Sequence, residues 1–115
     1  MADRLTRGDI MVCAPPGDYG KPRPAVILQA DAFLAERESV TLCLVTTTSI
    51  HAPLFRTTIA PGKTSGLLRP SFAMADKIMT VSRHRLRQRL GRLSDEEMRT
   101  LDAAVGRWLG LVPLA

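Results

Sequence analysis

A capping box at Ser94 divides the 115-residue sequence into two parts with different hydrophobic periodicity. The serine side chain can accept from the third backbone N–H of a helix, and Glu97 can bond back to the serine N–H. Beyond the box, apolar residues recur at steps of three and four, which places them on one helix face. These are Met98, Leu101, Val105, Trp108 and Val112. We predict one amphipathic helix whose apolar face, Trp108 included, lies in the core.

Short apolar and β-branched runs separated by turns precede the capping box. They predict strands at 10–13, 25–28, 40–48 and 55–59, with one or two more at 71–74 and 78–81; residues 31–36 suit one helical turn. Residues 14–24 hold four prolines and two glycines. Such a segment is neither helix nor central strand, so we predict a loop. Strands followed by a closing helix favour an α+β fold, with a curved antiparallel sheet or small barrel.

Composition and charge limit the class of protein. A chain of 115 residues with 45% hydrophobic residues fits one globular domain spanning 1–115. The net charge of +5 favours an anionic partner such as RNA, DNA or an acidic protein, without choosing among them. The polar N-terminus does not resemble a signal peptide, and no apolar run approaches the roughly 20 residues that span a bilayer. We therefore expect a cytoplasmic protein.

The cysteines and histidines do not predict a metal site. Cys13 and Cys43 lie far apart in apolar stretches, which is typical of buried thiols in a reduced compartment. His51 and His84 have no Cys or His neighbour at ligand spacing.

Two polar clusters lie next to predicted strands. The proline-rich loop carries Arg23 between two prolines, which present its guanidinium from a stiff segment. Such a group suits the charge of a pentacoordinate phosphorus, although an exposed loop arginine is the alternative. The run Thr46–Ser49 ends a strand with four hydroxyls. Hydroxyls can bind phosphate oxygens, although threonine is also common in strands for steric reasons.

A series of short motifs, in the same order along nearly the whole chain, resembles the MazF/PemK toxin family. The matching segments are 7–10 (RGDI), 21–28 (KPRPAVIL), 44–47 (LVTT), 66–67 (GL), 75–81 (ADKIMTV) and 90–94 (LGRLS). The resemblance implies an SH3-like barrel of the plasmid-maintenance-toxin type, usually dimeric. It also implies a toxin endoribonuclease that cuts single-stranded RNA at short sequences without metal or cofactor. In that family the ribose 2′-hydroxyl attacks the adjacent phosphorus, leaving a 2′,3′-cyclic phosphate or 3′-phosphate and a 5′-hydroxyl. An antitoxin peptide covers the RNA groove.

The resemblance assigns roles to particular residues. Arg23 matches the family arginine that stabilises the phosphorane charge, and Thr46 matches the hydroxyl that orients the scissile phosphate, with Thr47 beside it. The general base stays open: Asp18 is a candidate if it lies within hydrogen-bond reach of the 2′-hydroxyl. Some members use an Arg-x-Asp pair on a later strand. Here Asp76 holds the aspartate position but Met74 holds the arginine position, so a catalytic role for Asp76 is doubtful.

Further residues are candidates for substrate contact. Around the matched positions these are Tyr19, Lys21, Thr48, His51, Asp76 and Lys77. The basic segment 83–89 is interpreted as a solvated surface, with contact to RNA or to an acidic antitoxin as its functional alternative.

Two other functions remain open at this point. The CcdB gyrase poisons have a similar fold but end in Trp-Gly-Ile, whereas here Trp108-Leu-Gly is followed by five more residues. A catalytically inactive nucleic-acid-binding barrel is the second alternative.

Overall fold

A curved antiparallel sheet with one helix is the framework of the molecule. The computed structural model describes residues 4–17 and 21–114, which form six strands and one α-helix. The elements are β1 (Asp9–Cys13), β2 (Arg23–Ile27), β3 (Ser39–Thr46), β4 (Arg56–Ile59), β5 (Ser71–Ser82), β6 (Leu86–Arg92) and α1 (Asp95–Trp108). Single 3-10 turns occupy Asp31–Phe33 and Arg83–Arg85. The spatial strand order is β4-β5-β3-β2-β1-β6. The α+β class predicted from the sequence is confirmed.

The connection after β4 packs against β6 and so brings the two outer strands of the sheet together. The N–H of Arg92 donates to the carbonyl of Thr64 at 2.8 Å. A Cβ on Gly66, whose φ is +72°, would lie 1.8 Å from the carbonyl oxygen of Leu90. Only glycine allows this approach. The sheet therefore closes on itself as a small barrel does.

Both faces of the central strand β3 are buried, as predicted for this apolar run. Cys43 and Val45 join the cluster that α1 covers, together with Leu101 of the helix. Leu42 and Leu44 belong to a second cluster on the opposite face. Successive side chains of a strand point to opposite faces, so one strand serves both cores.

The capping box of α1 forms as expected. The N–H of Glu97 donates to Ser94 Oγ at 3.1 Å, and the N–H of Ser94 donates to Glu97 Oε1 at 2.9 Å. Leu101 is fully buried. The placement of Trp108 in the core is wrong, because its side chain is 50% exposed and packs on the ring of Phe55 at 5.2 Å. Trp108 is the last residue of the helix, and it lies outside the buried cluster that contains Leu101.

The predicted one or two strands at 71–74 and 78–81 are one continuous strand, β5, whose register against β3 shifts between Cys43 and Val45. The last strand of the sheet was not predicted. Most of the basic segment 83–89, interpreted as a solvated surface, belongs to β6. Its Arg89 forms an ion pair of 2.8 Å with Asp9, which is almost fully buried. The register shifts between β1 and β6 hide the alternation that would have identified the strand.

No helix in the described part of the chain is both long and apolar enough to cross a membrane.

Candidate active site

The site begins where β2 and β3 run side by side. Strand β2 starts at Arg23, two residues earlier than predicted, and Arg23 pairs with Cys13 of β1. The β2–β3 register sets Ala25 against Leu44. Continued by two residues, this register sets Arg23 opposite Thr46 on the same face of the sheet. The two residues that the sequence singled out therefore lie on neighbouring strands, just beyond the last β2–β3 pair.

Arg23 carries an unused hydrogen-bond donor. Within residues 4–17 and 21–114, only two buried side-chain polar atoms lack a partner, Arg23 Nε and Thr57 Oγ1. A buried donor without a partner is costly, and a cationic one is best satisfied by an anionic oxygen. The half-buried guanidinium of Arg23 is therefore suited to hold a phosphate.

The hydroxyl of Thr46 is oriented by a local turn. Its Oγ1 accepts from the N–H of Thr48 at 3.1 Å. Because a hydroxyl also has one proton to donate, this bond leaves the proton free for an incoming oxygen. Thr46 is half-buried, whereas Thr47 and Thr48 are exposed just beyond the end of β3. The strand end thus offers a fixed donor beside Arg23 and two accessible hydroxyls.

Asp76 is engaged by an arginine from the neighbouring strand. Arg56 Nε and Nη2 donate to the two Asp76 oxygens at 2.8 and 2.9 Å. Arg56 lies directly opposite Met74 in the β4–β5 register. The arginine absent from position 74 is thus supplied from β4. The hydrogen bonds from Arg56 hold the pKa of the Asp76 carboxyl below its usual value, against the opposing effect of burial.

Arg56 was missed by the sequence reasoning. It stands twenty residues before Asp76, within the strand predicted at 55–59, with no motif around it. Only the pairing of β4 with β5 reveals the contact, and strand pairing is not encoded in local spacing.

The remaining candidates are more dispersed. Lys21 and His51 are exposed in loops, and Lys77 is half-buried in β5. Asp18 and Tyr19 lie outside the described residues, so the structure gives no position for the candidate general base.

Both cysteines are buried, as predicted. Burial raises the pKa of the Cys43 thiol to about 12 and also raises that of Cys13, although Arg85 opposes the latter shift. Neither thiol is suited to nucleophilic chemistry. The described residues contain no cluster of three or more His, Cys, Asp or Glu side chains that would hold a metal ion.

A family model and a curated relative identify the family of this chain. Residues 6–109 match the family described as the PemK-like, MazF-like toxin of type II toxin–antitoxin system. A probable endoribonuclease MazF from Mycolicibacterium smegmatis is 44% identical over 108 residues, covering 93% of this chain and 98% of that protein.

Solved structures share the fold. An endoribonuclease in complex with its cognate antitoxin from a mycobacterial species has a TM-score of 0.81 and 24% identity, covering 95% of this chain and 98% of that one. The Mycobacterium tuberculosis toxin MazF-mt6 has a TM-score of 0.79 and 22% identity, covering 91% and 99%. The match to this family also disfavours the gyrase-poison alternative. The chain belongs to the PemK-like, MazF-like toxins of type II toxin–antitoxin systems, and its activity is that of an endoribonuclease.

Proposed function

We propose that this toxin cuts single-stranded RNA at specific short sequences, without a metal ion, at a site formed by Arg23, Thr46 and Thr47. The observation that carries the proposal is the unpartnered, buried Nε of Arg23 on the strand beside Thr46. A phosphodiester placed between the two side chains would satisfy the guanidinium and accept the threonine proton. No other buried arginine or lysine nitrogen among the described residues lacks a hydrogen-bond partner.

In the reaction, the ribose 2′-oxygen forms a bond to the adjacent phosphorus and gives its proton to a base. The bond from phosphorus to the 5′-oxygen of the next nucleotide breaks, and that oxygen leaves with the electron pair and takes up a proton. The products are a 2′,3′-cyclic phosphate, which hydrolyses to a 3′-phosphate, and a 5′-hydroxyl. Arg23 stabilises the extra negative charge of the phosphorane, and Thr46 orients the phosphate.

The base is not Asp76. Both of its oxygens accept from Arg56, and the lowered pKa of its carboxyl makes it a weak proton acceptor. We assign Asp76 and Arg56 to holding β4 against β5 beneath the RNA. Asp18, five residues before Arg23 in the sequence, remains our candidate for the base.

The RNA path extends from the catalytic pair over exposed polar residues. Lys21 precedes Arg23 by two residues, and Thr48 and His51 follow Thr46 on the exposed β3–β4 connection. Lys77 and Tyr19 complete the proposed contacts, with Tyr19 stacking on a base. The net charge of +5 favours this path for a polyanion. The reaction would take place in the cytoplasm, where its substrate is.

A cognate antitoxin peptide is the proposed inhibitor. The mycobacterial endoribonuclease with a similar fold was solved in complex with its antitoxin. A peptide lying in the RNA groove of this toxin would exclude the substrate, and acidic side chains would complement the basic surface.

We also propose that the toxin is a homodimer joined through an apolar patch at the end of α1. The patch is defined by Leu54, Trp108, Leu109, Leu111 and Leu114, all at least 50% exposed. A cluster of exposed apolar side chains is typical of an interaction surface, and two-fold dimers are the commonest homo-oligomers.

The test of the proposed reaction is analysis of the cleavage products. The protein is incubated with a mixed single-stranded RNA in excess EDTA, and the ends are identified. We expect cleavage with 5′-hydroxyl and cyclic-phosphate or 3′-phosphate ends. Cleavage that leaves 5′-phosphates, or that needs an added metal ion, would contradict the mechanism.

A further inference from the structure

The connection between β3 and β4, residues 47–55, is held at its far end by the last turn of α1. The Nε of Arg107 donates to the carbonyl of Leu54 at 2.9 Å. The next residue of the helix, Trp108, packs its ring on that of Phe55, with the two ring centroids 5.2 Å apart. Two consecutive residues of the helix thus contact two consecutive residues of the connection.

The carbonyl that Arg107 binds lies within a tight turn. The N–H groups of Phe55 and Arg56 both donate to the carbonyl of Ala52, at 3.2 and 2.8 Å, and Leu54 lies between these residues. His51 directly precedes the turn, and its side chain is exposed. The bond from Arg107 therefore ties the turn next to His51 to the helix.

The near end of the connection is fixed without α1. Thr46 belongs to β3, and its Oγ1 accepts from the N–H of Thr48 at 3.1 Å. Residues 49–51, between this bond and the turn, are exposed. Exposed segments with few buried contacts open at the lowest free energy. The position of His51 therefore depends on the turn and its tie to the helix, whereas the position of Thr46 depends on the sheet.

We propose that Arg107 is a positioning residue for RNA binding, because its hydrogen bond to Leu54 holds His51 where it contacts the substrate. This role rests on the proposed RNA path over Thr48 and His51. A binding segment that is only partly in its competent arrangement weakens the apparent affinity by the competent fraction. Loss of the bond from Arg107 therefore weakens RNA binding and leaves the chemical step unchanged.

Two neutral replacements of Arg107 separate its hydrogen bond from its charge. An arginine in the last turn of a helix interacts favourably with the helix dipole, and it can also attract a phosphate directly. In Arg107→Gln the side-chain amide nitrogen takes the place of Nε and keeps a donor for Leu54. Arg107→Met has a side chain of the same length with no N–H donor. Both variants lose the charge, and only the glutamine variant keeps the hydrogen bond.

The experiment measures kcat and KM for cleavage of one defined single-stranded RNA by the full chain. The variants are Arg107→Gln, Arg107→Met, His51→Ala and the double variant His51→Ala with Arg107→Met. Arg99→Met is the matched control, since Arg99 is an exposed arginine on the same helix. Leu54 and Trp108 belong to the proposed dimer patch, so light scattering establishes the oligomeric state of each variant. Thermal unfolding establishes that each variant is folded.

We expect Arg107→Met to raise KM about fivefold, which is the scale of one hydrogen bond, with kcat within about twofold of the wild type. Arg107→Gln and Arg99→Met should keep KM close to the wild-type value. His51→Ala should raise KM as well. The double variant should have the KM of His51→Ala alone, because the contact that Arg107 positions is already missing.

An unchanged KM in Arg107→Met would overturn the proposal, and so would an equal rise in Arg107→Gln, since the charge would then be the active feature. A full further rise in KM on adding Arg107→Met to His51→Ala would also overturn it, as would a rise that occurs only together with loss of the dimer. A normal KM in His51→Ala would refute the RNA path over this connection and the positioning role with it. The cleavage rate of Arg23→Ala, measured alongside, distinguishes each of these results from a failure of the proposed active site.

Discussion

The guanidinium of Arg56 and the carboxylate of Asp76 form a two-point ion pair across β4 and β5, at 2.8 and 2.9 Å. Their side chains are only 12% and 14% exposed. The pair keeps an aspartate inside a continuous strand and ties the short outer strand β4 to the sheet. Its stability and its dependence on pH can both be measured.

Replacing Asp76 by Asn should lower the free energy of unfolding at neutral pH by about 3 kcal/mol, because it leaves the Arg56 charge largely buried without a counter-ion. The double replacement Arg56→Met with Asp76→Leu should recover most of the loss. Urea unfolding of the wild type and both variants measures this. Equal stability of wild type and Asp76→Asn would mean that the pair contributes nothing.

The Arg56–Asp76 pair also predicts how the stability difference between the wild type and Asp76→Asn depends on pH. Arg56 holds the pKa of Asp76 below its ordinary value of 3.8 in the folded chain. The ion pair therefore contributes its full stabilisation at a pH above the pKa of Asp76 in the unfolded chain. That stabilisation is lost as the pH falls through the lower pKa of Asp76 in the folded chain. The difference in the free energy of unfolding between the wild type and Asp76→Asn should be full at neutral pH and should shrink from about pH 4 downward. A gap that is constant down to about pH 2 would contradict this assignment.

The helix cap predicts two unequal losses. Ser94→Ala removes one capping bond and should cost about 1 kcal/mol. Glu97→Ala should cost more, because Glu97 accepts from the N–H of Ser94 at 2.9 Å and from the N–H of Ala60 at 2.8 Å. Glu96→Ala, an exposed first-turn control, should cost only a few tenths of a kcal/mol. Thermal and urea unfolding rank the three, and a larger loss for Ser94→Ala would contradict the role of Glu97.

The closure of the barrel predicts a severe effect at Gly66. An alanine Cβ there would lie 1.8 Å from the backbone oxygen of Leu90. Gly110 is the matched control, since its φ of +76° is nearly that of Gly66 at +72° and nothing lies within 4 Å of an added Cβ. We expect Gly110→Ala to cost about 1 kcal/mol and Gly66→Ala more than about 3 kcal/mol. Similar unfolding midpoints for Gly66→Ala and Gly110→Ala would show that the close approach of the β4–β5 connection to β6 is not essential for stability.

The apolar patch around Trp108 predicts a change in oligomeric state. Trp108→Glu places a charge in the proposed dimer interface and should give a monomer in light scattering with chromatography. Phe33 is an exposed aromatic residue outside the patch, with 62% of its surface exposed, and Phe33→Glu should stay dimeric. A wild-type monomer, or a dimer that survives Trp108→Glu, would refute the interface.

Local patterns predicted much of this molecule. The capping box and the apolar run of β3 depend on near neighbours in the chain, and both have the predicted character. The glycine–proline segment was predicted as a loop up to residue 24, but β2 already begins at Arg23. The resemblance over nearly the whole chain identified the family, and Arg23 and Thr46 lie on adjacent strands as the site requires.

What the sequence did not predict depends on contacts between distant segments. Arg56 meets Asp76 only through the pairing of β4 with β5. Strand β6 was missed because its charged residues face outward or reach distant partners, as Arg89 reaches Asp9. Trp108 continues the helical spacing of the core residues, but spacing alone does not reveal that it is the last residue of the helix and half-exposed.

The central claim is that Arg23 and Thr46 act on one phosphodiester. The most direct test is the single-turnover cleavage rate of a defined single-stranded RNA by Arg23→Ala and Thr46→Val. Arg87→Ala and Thr58→Val are the exposed controls. We predict that the cleavage rate falls at least about 100-fold in Arg23→Ala and at least about tenfold in Thr46→Val, while both variants stay folded. The two control variants should cleave at nearly the wild-type rate. A folded Arg23→Ala variant that cuts at the wild-type rate would contradict the account.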